Sequence, residues 1–213
     1  MYADCSCPDE INHDDPNEDI TSLFQRRWGE IFPLAGLAGL PFTGETGWSA
    51  FSSHCPKNGN IVLMFGPHVG VDNSGVVGSV RRDGQDNCSS ACGAAIGAYA
   101  AIKKDMSNGN FKNGYRDHQM DCIKHLLVPH INEIRHAEDE QVALVYKMYN
   151  IIETYLEEII NLKWMTNNSK LAIVGGIMIN CDGDGTDRFL PLKFEIRQQH
   201  SSKDVFSKVF GSV

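Results

Sequence analysis

Hydrophobic and polar positions follow two patterns along this chain: short continuous apolar runs and longer helical repeats. An apolar run of about four to eight residues bounded by turn residues indicates a buried strand. Such runs predict strands in MYADCSC, NIVLMFGPHVGV, LAIVGGIMIN and FLPLKFEI, and VVGSVRRDG predicts a more exposed strand. The first strand is expected to break at Pro8, and the apolar run of the central strand ends at Gly66-Pro67.

Apolar residues at helical spacing predict several helices. Asp19 is placed to cap a helix over ITSLFQRRWGEIF, and WSAFSSH and SSACGAAIGAYAAIKKDM predict two more. Residues 117–163 repeat apolar positions every three or four residues, and Pro129 is expected to divide them into two helices. The glycine-rich PLAGLAGLPFTGETG predicts a buried loop, and the polar tail from Gln198 is predicted to be peripheral.

The order of these elements predicts the fold class. Strands and helices alternate at first, then come consecutive helices and two final strands. This order is typical of an α/β protein with a mixed sheet flanked by helical layers. Because the chain has neither an internal repeat nor an evident linker, residues 1–213 are predicted to form a single domain.

Composition excludes several classes of partner. The net charge of −8 argues against non-specific binding to nucleic acid or to anionic membranes. No apolar run approaches the roughly 20 residues of a membrane span. The first residues lack the basic and apolar regions of a signal peptide, so any targeting segment is expected to lie outside this sequence.

The cysteines indicate a reducing compartment. Their number, seven in 213 residues, is odd and low for a disulfide scaffold. In a reducing compartment, cysteines near a histidine are more often metal ligands or reactive thiols than disulfide partners, and the others are small buried residues.

Three such residues fall where α/β sheets place their sites. Cys7 and His68 lie at the carboxyl ends of predicted strands, and Cys92 lies near the start of a predicted helix. Two thiolates and an imidazole suit zinc and leave a fourth position for water. Each residue alone is also compatible with a structural role, and Cys5 and Cys88 are alternatives to Cys7 and Cys92.

Long blocks of this sequence resemble the limiting-carbon-dioxide-inducible B family of algal plastid proteins, which are related in fold to β-carbonic anhydrases. The blocks are SCPDEIN, RRWGEIFPLAGLAGLPFTGETGWSAFSSH, VLMFGPHVGVDNSGVVGSVRRDGQ, ACGAAIGAY and FLPLKFEI. They cover the chain from about residue 1 to about residue 197. The resemblance implies a β-carbonic-anhydrase-like fold and a homodimer with one zinc ion per subunit. It also implies a location in the chloroplast stroma near the pyrenoid.

Carried over by position, the zinc ligands implied by this resemblance are Cys7, His68 and Cys92. Cys7-Pro8-Asp9 looks like the first motif of β-carbonic anhydrases, in which an arginine two residues after the aspartate pairs with it. Ile11 occupies that position here, and the family's His-x-x-Cys motif is also absent. The arginine must therefore come from elsewhere.

Arg27 is the expected partner of Asp9, ahead of Arg26 and Arg81. Asp9 and Arg27 are thus the predicted catalytic residues. The pair would hold the carboxylate away from the metal, so that it orients a water molecule and does not become a fourth ligand.

The expected function is reversible hydration of CO2 to bicarbonate by a zinc enzyme, within algal inorganic-carbon concentration. An apolar lining for CO2 is expected from Leu37, Leu40, Phe42, Trp48 and Val69. The first alternative is a non-catalytic zinc protein of the same fold that acts through bicarbonate sensing or partner binding. The second is a thiol redox protein that uses Cys5, Cys7 and Cys88, although no CxxC motif supports it.

The segment CDGDGTD at residues 181–187 resembles a calcium-binding loop. Leu192 stands where the twelfth position of an EF-hand loop requires a bidentate glutamate, so a turn is expected instead.

Overall fold

A central sheet organises the chain in this computed structural model, which describes residues 1–13, 19–108, 117–182 and 187–211. The strands are β1 (Tyr2–Ser6), β2 (Ile31–Pro33), β3 (Asn60–Gly66), β4 (His68–Val71), β5 (Ser79–Val80), β6 (Ser89–Ser90), β7 (Lys170–Cys181), β8 (Arg188–Gln198) and β9 (Ser201–Asp204). The helices are α1 (Ile20–Trp28), α2 (Gly44–Ser53), α3 (Gly93–Asn108), α4 (His118–Leu127), α5 (Ile131–Arg135), α6 (Glu140–Ile159) and α7 (Phe206–Phe210).

The sheet is mixed, as predicted. Its strand order is β2-β1-β3-β7-β8-β9, and β4 also pairs with β7. Strands β2, β1, β3, β4 and β7 pair in parallel, whereas β8 and β9 are antiparallel additions at one edge. The short strands β5 and β6 pair with each other in a separate two-stranded sheet. The carboxyl ends of β1 and β3 therefore lie next to each other, where α/β proteins place their sites.

The segment predicted as one central strand is divided by Pro67 into β3 and β4, which pair with successive parts of β7. The division occurs where the backbones come unusually close. A Cβ atom on Gly66 would lie only 1.7 Å from the carbonyl oxygen of Gly176, so only glycine fits there. The register of β7 with β8 shifts at the same place, between Gly175 and Gly176. As a result, His68 opens a new strand directly after the break.

Three predicted helix boundaries are wrong. Helix α2 begins at Gly44, within the segment predicted as a loop. The other two boundaries change because of strand pairing. Helix α1 ends at Trp28, because Gly29 takes φ +99° and Ile31–Pro33 pairs with β1 as β2. Helix α3 begins at Gly93, because Ser89 and Ser90 pair with β5. In both cases strand pairing, which depends on distant residues, overrides local helical spacing.

The helices form layers on the two faces of the sheet. The main core lies between the sheet and α2–α6, and it includes Cys5 and Trp48, both fully buried. On the opposite face α1 covers Tyr2, Val62 and Met64. The prediction of a mixed sheet flanked by helices is thus confirmed.

Several smaller predictions have a defined outcome. Pro129 lies in a short 3-10 turn between α4 and α5, so it divides the helical region as expected, but a second break between α5 and α6 gives three α-helices instead of the predicted two. The polar tail forms β9 and α7, and β9 is exposed along its length. Of the segment 181–187, residues 183–186 lie outside the described residues. No helix in the described part of the chain has the length and apolar character needed to cross a membrane.

Candidate metal centre

Three ligand-type side chains meet at the carboxyl edge of the parallel strands. Cys7 directly follows β1, His68 opens β4, and Cys92 directly precedes α3. The Sγ atoms of Cys7 and Cys92 are 3.8 Å apart, and the candidate ligand atoms of all three residues lie within 4.8 Å of one another. All three side chains are buried. The fold therefore gathers residues that are 61 and 24 positions apart in sequence (68 − 7 and 92 − 68).

The geometry of these residues fits a tetrahedral zinc ion. Two sulfurs at about 2.3 Å from such an ion lie about 3.8 Å apart, which agrees with the observed separation. The Nε2 atom of His68 is buried and has no hydrogen-bond partner among the described residues, although buried polar atoms are almost always paired. A metal ion would satisfy this nitrogen, and three protein ligands would leave a fourth position open.

The start of α3 favours ionisation of Cys92. A hydrogen bond from Cys7 and the backbone N–H groups of Ala95 and Ala94 together lower the pKa of Cys92, despite its burial. The pKa of Cys7 is raised well above its ordinary value, mainly by its hydrogen bond with Cys92 and also by burial. Only a positive charge between the sulfurs would stabilise both as thiolates.

The two alternative cysteines lie elsewhere. The Cys5 thiol donates to the carbonyl oxygen of Gly39 at 3.4 Å and is fully buried in the core. Cys88 is exposed, and its thiol donates to a carboxylate oxygen of Asp182 at 3.8 Å. Neither residue belongs to the group around His68. All seven cysteines lie within the described residues and are free thiols, so the redox alternative gains no disulfide to support it.

Asp9 lies beside this group and is held by an arginine. Its carboxylate accepts two hydrogen bonds from Arg82, at 3.0 and 2.8 Å, and its Oδ2 atom is 3.6 Å from Nε2 of His68. Arg82 also pairs with Glu10 at 3.0 Å. Burial acts to raise the pKa of Asp9, but the hydrogen bonds from Arg82 and the nearby positive charges outweigh it, so the pKa lies below its ordinary value.

The expectation that Arg27 pairs with Asp9 is wrong. Arg27 lies on α1, where its guanidinium stacks over the ring of Trp28 at 5.6 Å. The backbone N–H of Arg81 donates to Asp182. Arg82 was not among the predicted candidates. A signal existed only in the predicted strand VVGSVRRDG, where alternation puts Arg82 and not Arg81 on the side of Val80; in the structure β5 ends at Val80 and Arg82 lies in the loop after it.

A small apolar cavity adjoins two of the three ligands, His68 and Cys92, and its volume is about 10 Å³. Among the residues that line it are Val69, Ala38, Ala95, Gln141, Leu144 and Val145. Of the predicted lining residues, Val69 is therefore present. Leu37, Leu40, Phe42 and Trp48 do not line it: Leu40 and Trp48 are buried in the main core, and Leu37 and Phe42 pack against that core. The indole N–H of Trp48 donates to the carbonyl oxygen of Asn161 at 3.0 Å.

Solved structures of carbonic anhydrases and related proteins share this fold. The β-carbonic anhydrase CafA of the fungal pathogen Aspergillus fumigatus matches 89% of this chain and 74% of its own at 14% identity and a TM-score of 0.50. The limiting CO2-inducible protein LCIB matches 95% of this chain and 84% of its own at 18% identity and a TM-score of 0.66. At these identities the likeness shows the fold alone. Fold and site together define a β-carbonic-anhydrase-like protein with a Cys-His-Cys group that could bind a metal.

A solved structure that is more similar to this chain than these two, together with a family model, identifies the family of the chain. PtLCIB4, a homolog of LCIB, has a TM-score of 0.85 and 28% identity, over 96% of this chain and 84% of its own. The family described as limiting CO2-inducible proteins B/C beta carbonic anhydrases matches residues 1–198. The chain belongs to this family, as its sequence blocks predicted. No curated protein matches this chain.

Proposed function

We propose that this protein is a zinc-dependent carbonic anhydrase that interconverts CO2 and bicarbonate. The observation that carries the proposal is the placement of an ionised Asp9, held by Arg82, next to a Cys-His-Cys group with tetrahedral spacing. A purely structural zinc site is closed by a fourth protein ligand. Here the carboxylate of Asp9, 3.6 Å from Nε2 of His68, is held by Arg82, which favours an open site.

A zinc ion at these ligands would supply a hydroxide at neutral pH, because zinc lowers the pKa of water from 15.7 to about 7. Because its pKa is lowered, Asp9 stays a carboxylate that only accepts hydrogen bonds. It can therefore orient a nucleophile beside His68 Nε2, so that an oxygen lone pair is aimed at the substrate. Arg82 fixes that carboxylate through its Nη2 atom, which donates to both carboxylate oxygens.

The cavity beside the ligands suits a small apolar substrate. Its volume of about 10 Å³ leaves room for little more than one molecule of the size of water. Aliphatic side chains, such as those of Val69, Leu144 and Val145, dominate its wall, and Gln141 adds a polar group. The apolar character of this wall suits CO2, and the small volume disfavours larger carbonyl substrates.

The cellular setting extends the same proposal. We infer a role in inorganic-carbon concentration within a plastid, near the pyrenoid, and a homodimeric state. Family membership supports these inferences. Imaging of the tagged protein in its own cells and sedimentation of the zinc-loaded protein test them directly. A cytosolic signal would contradict the plastid assignment, and a monomer at micromolar concentration would contradict the dimer.

Stopped-flow CO2 hydration by a fully zinc-loaded sample tests the enzymatic function. We expect a rate that is proportional to enzyme concentration, and loss of this rate when a chelator removes the metal. A loaded sample that does not exceed the buffer rate would refute catalysis. That result would favour the alternative of a non-catalytic zinc protein that acts through bicarbonate sensing or partner binding, which bicarbonate titration of the loaded protein would then examine.

A further inference from the structure

A buried amide supports His68 on the side away from the candidate metal centre. Asn180, which is 1% exposed on β7, places its Oδ1 atom 2.8 Å from Nδ1 of His68. Strand β7 pairs with β4, so the bond joins neighbouring strands of the sheet. Neither the sequence pattern nor the family blocks single out this residue.

The surroundings of Asn180 fix the orientation of its amide. Its Nδ2 atom faces the carbonyl oxygen of Ile11 at 3.3 Å and a carboxylate oxygen of Asp187 at 2.8 Å. Both groups only accept hydrogen bonds, so the NH2 end must face them and the oxygen must face His68. Nδ1 of His68 therefore carries the hydrogen, and in the neutral ring Nε2 keeps its lone pair for a metal.

Asp187 holds Asn180 in this position. One carboxylate oxygen of Asp187 accepts from Asn180, and the other accepts the backbone N–H of Cys181 at 2.8 Å. Asp187 ends the segment 181–187, whose acidic composition suggested a calcium loop in the sequence. In the structure Asp187 contacts Asn180, and Asn180 contacts the candidate metal ligand His68.

Asn12 connects the same network to a second ligand. Its Nδ2 donates to the carbonyl oxygen of Cys7 at 3.0 Å, and its Oδ1 faces Nδ2 of Asn180 at 3.3 Å. The buried amides of Asn12 and Asn180 thus link Cys7, which follows β1, with His68, the first residue of β4. Such partners orient metal ligands and set which nitrogen of an imidazole binds.

We propose that Asn180 and Asp187 are positioning residues for the metal site: Asn180 holds His68 in the tautomer that presents Nε2, and Asp187 holds Asn180. The inference rests on the proposed metal-dependent function, since it concerns the same site. Removal of the acceptor in Asn180→Leu is expected to weaken zinc binding about 10- to 100-fold. Asp187→Asn is expected to weaken it about tenfold, because the new amide cannot accept from both partners of Asp187.

Competition of Zn²⁺ against a chromophoric chelator measures these affinities in the intact chain. Asp182→Asn is the matched control: Asp182 is buried and, like Asp187, accepts backbone N–H groups, here from Asn73 and Arg81, but it has no bond to Asn180 in the described part of the chain. Its zinc affinity is expected to equal that of the wild type. Asn180→Asp retains an oxygen towards His68 and covers the case in which Asn180→Leu does not fold.

Nitrogen-15 NMR of histidine-labelled protein supplies a readout that general destabilisation would not change. At alkaline pH, the metal-free wild type is expected to show His68 protonated at Nδ1, and Asn180→Leu a mixture of tautomers. A proton on Nε2 in the wild type, or unchanged zinc affinity in both Asn180→Leu and Asp187→Asn, would overturn the proposal. If the wild type binds no zinc, the proposed metal-dependent function is refuted. The spectrum of the metal-free protein still shows which tautomer His68 adopts, so the role of Asn180 is tested separately.

Discussion

Arg82 donates two hydrogen bonds to the carboxylate of Asp9, although 73 positions separate the two residues in the chain. Both side chains are largely shielded from solvent, at 14% and 15% exposure. A charge-assisted pair in which one guanidinium nitrogen donates to both carboxylate oxygens, with this degree of burial, is stronger than a surface ion pair. This ion pair holds the carboxylate near His68 and keeps it ionised. Because Arg82 lies in the polar loop after β5, the pair also connects that loop with the candidate metal centre.

Arg82→Ala is expected to lower kcat/KM for CO2 hydration by about 100-fold or more while zinc remains bound. Without its two bonds, Asp9 is free to approach the metal or to leave its orienting position. Stopped-flow assays on protein of measured zinc content check this. Arg27→Ala is the matched control, since Arg27 stacks on Trp28 away from the site, and full activity is expected for it. Equal losses in the two variants would contradict the assignment of Arg82.

Asp9→Asn keeps the shape of the side chain but removes its charge. We expect hydration to fall by roughly 10²- to 10⁴-fold, because an amide cannot replace an acceptor-only carboxylate beside His68. Zinc content is expected to stay at one ion per chain. Glu10→Gln serves as the control, because Glu10 also pairs with Arg82 but its side chain is 74% exposed. A variant Asp9→Asn with wild-type kinetics would remove Asp9 from the mechanism.

Cys92→Ser is expected to lose stoichiometric zinc, whereas Cys88→Ser four residues earlier is expected to retain it. Cys92 belongs to the buried group of three ligands, and Cys88 is exposed outside it. Because a bound ion stabilises only the folded state, chelation should lower the melting temperature of the wild type and leave that of Cys92→Ser unchanged. Elemental analysis and thermal denaturation measure both effects. Zinc loss on Cys88→Ser alone would reverse the choice of ligand.

Val145→Phe is expected to reduce kcat/KM for CO2 roughly tenfold without loss of zinc, since the larger ring fills the narrow cavity next to His68. Val142→Phe is the matched control on the same helix, because Val142 is 38% exposed and Val145 only 8%. Urea unfolding separates an effect on the cavity from a loss of stability. If the two variants have the same kinetics, the cavity does not receive the substrate.

Asp4 predicts a pH dependence of stability that is independent of the metal centre. Burial, at 7% exposure, raises its pKa to about 6, against about 3.9 for an exposed aspartate. The folded protein therefore binds a proton more tightly than the unfolded chain, so stability falls as the pH rises from about 4 through about 6. At pH 8 the cost approaches about 3 kcal/mol.

Asp4→Asn is expected to be more stable than the wild type at pH 8, and the difference should shrink at pH 5. Urea unfolding at the two pH values measures it. Asp86→Asn, at an exposed position, controls for the loss of one negative charge. A stability difference between Asp4→Asn and the wild type that does not change with pH would show that Asp4 does not titrate in this range.

Local pattern placed Cys7, His68 and Cys92 close to the ends of elements, although His68 opens β4 instead of ending the central strand and Cys92 precedes α3. Each one lies where an apolar run or a helix begins or ends, and such boundaries are encoded by neighbouring residues. By contrast, the helix predicted over residues 20–32 failed at Ile31–Pro33, because those residues pair with β1. Helical spacing in the sequence carries no information about which distant strand offers free hydrogen-bonding groups.

The sequence by itself determined the family, the mixed α/β fold and the types of ligand, since these depend on residue identity and local order. Tertiary structure alone decided that Arg82 holds Asp9 and that Asn180 faces His68. The structure also shows that Cys7, and not Cys5, is the candidate ligand. β1 ends at Ser6, so Cys7 lies beyond the strand, whereas the Cys5 thiol donates to the carbonyl oxygen of Gly39 in the core. These contacts join residues more than 30 positions apart, and their distances follow from how the elements pack rather than from any local preference.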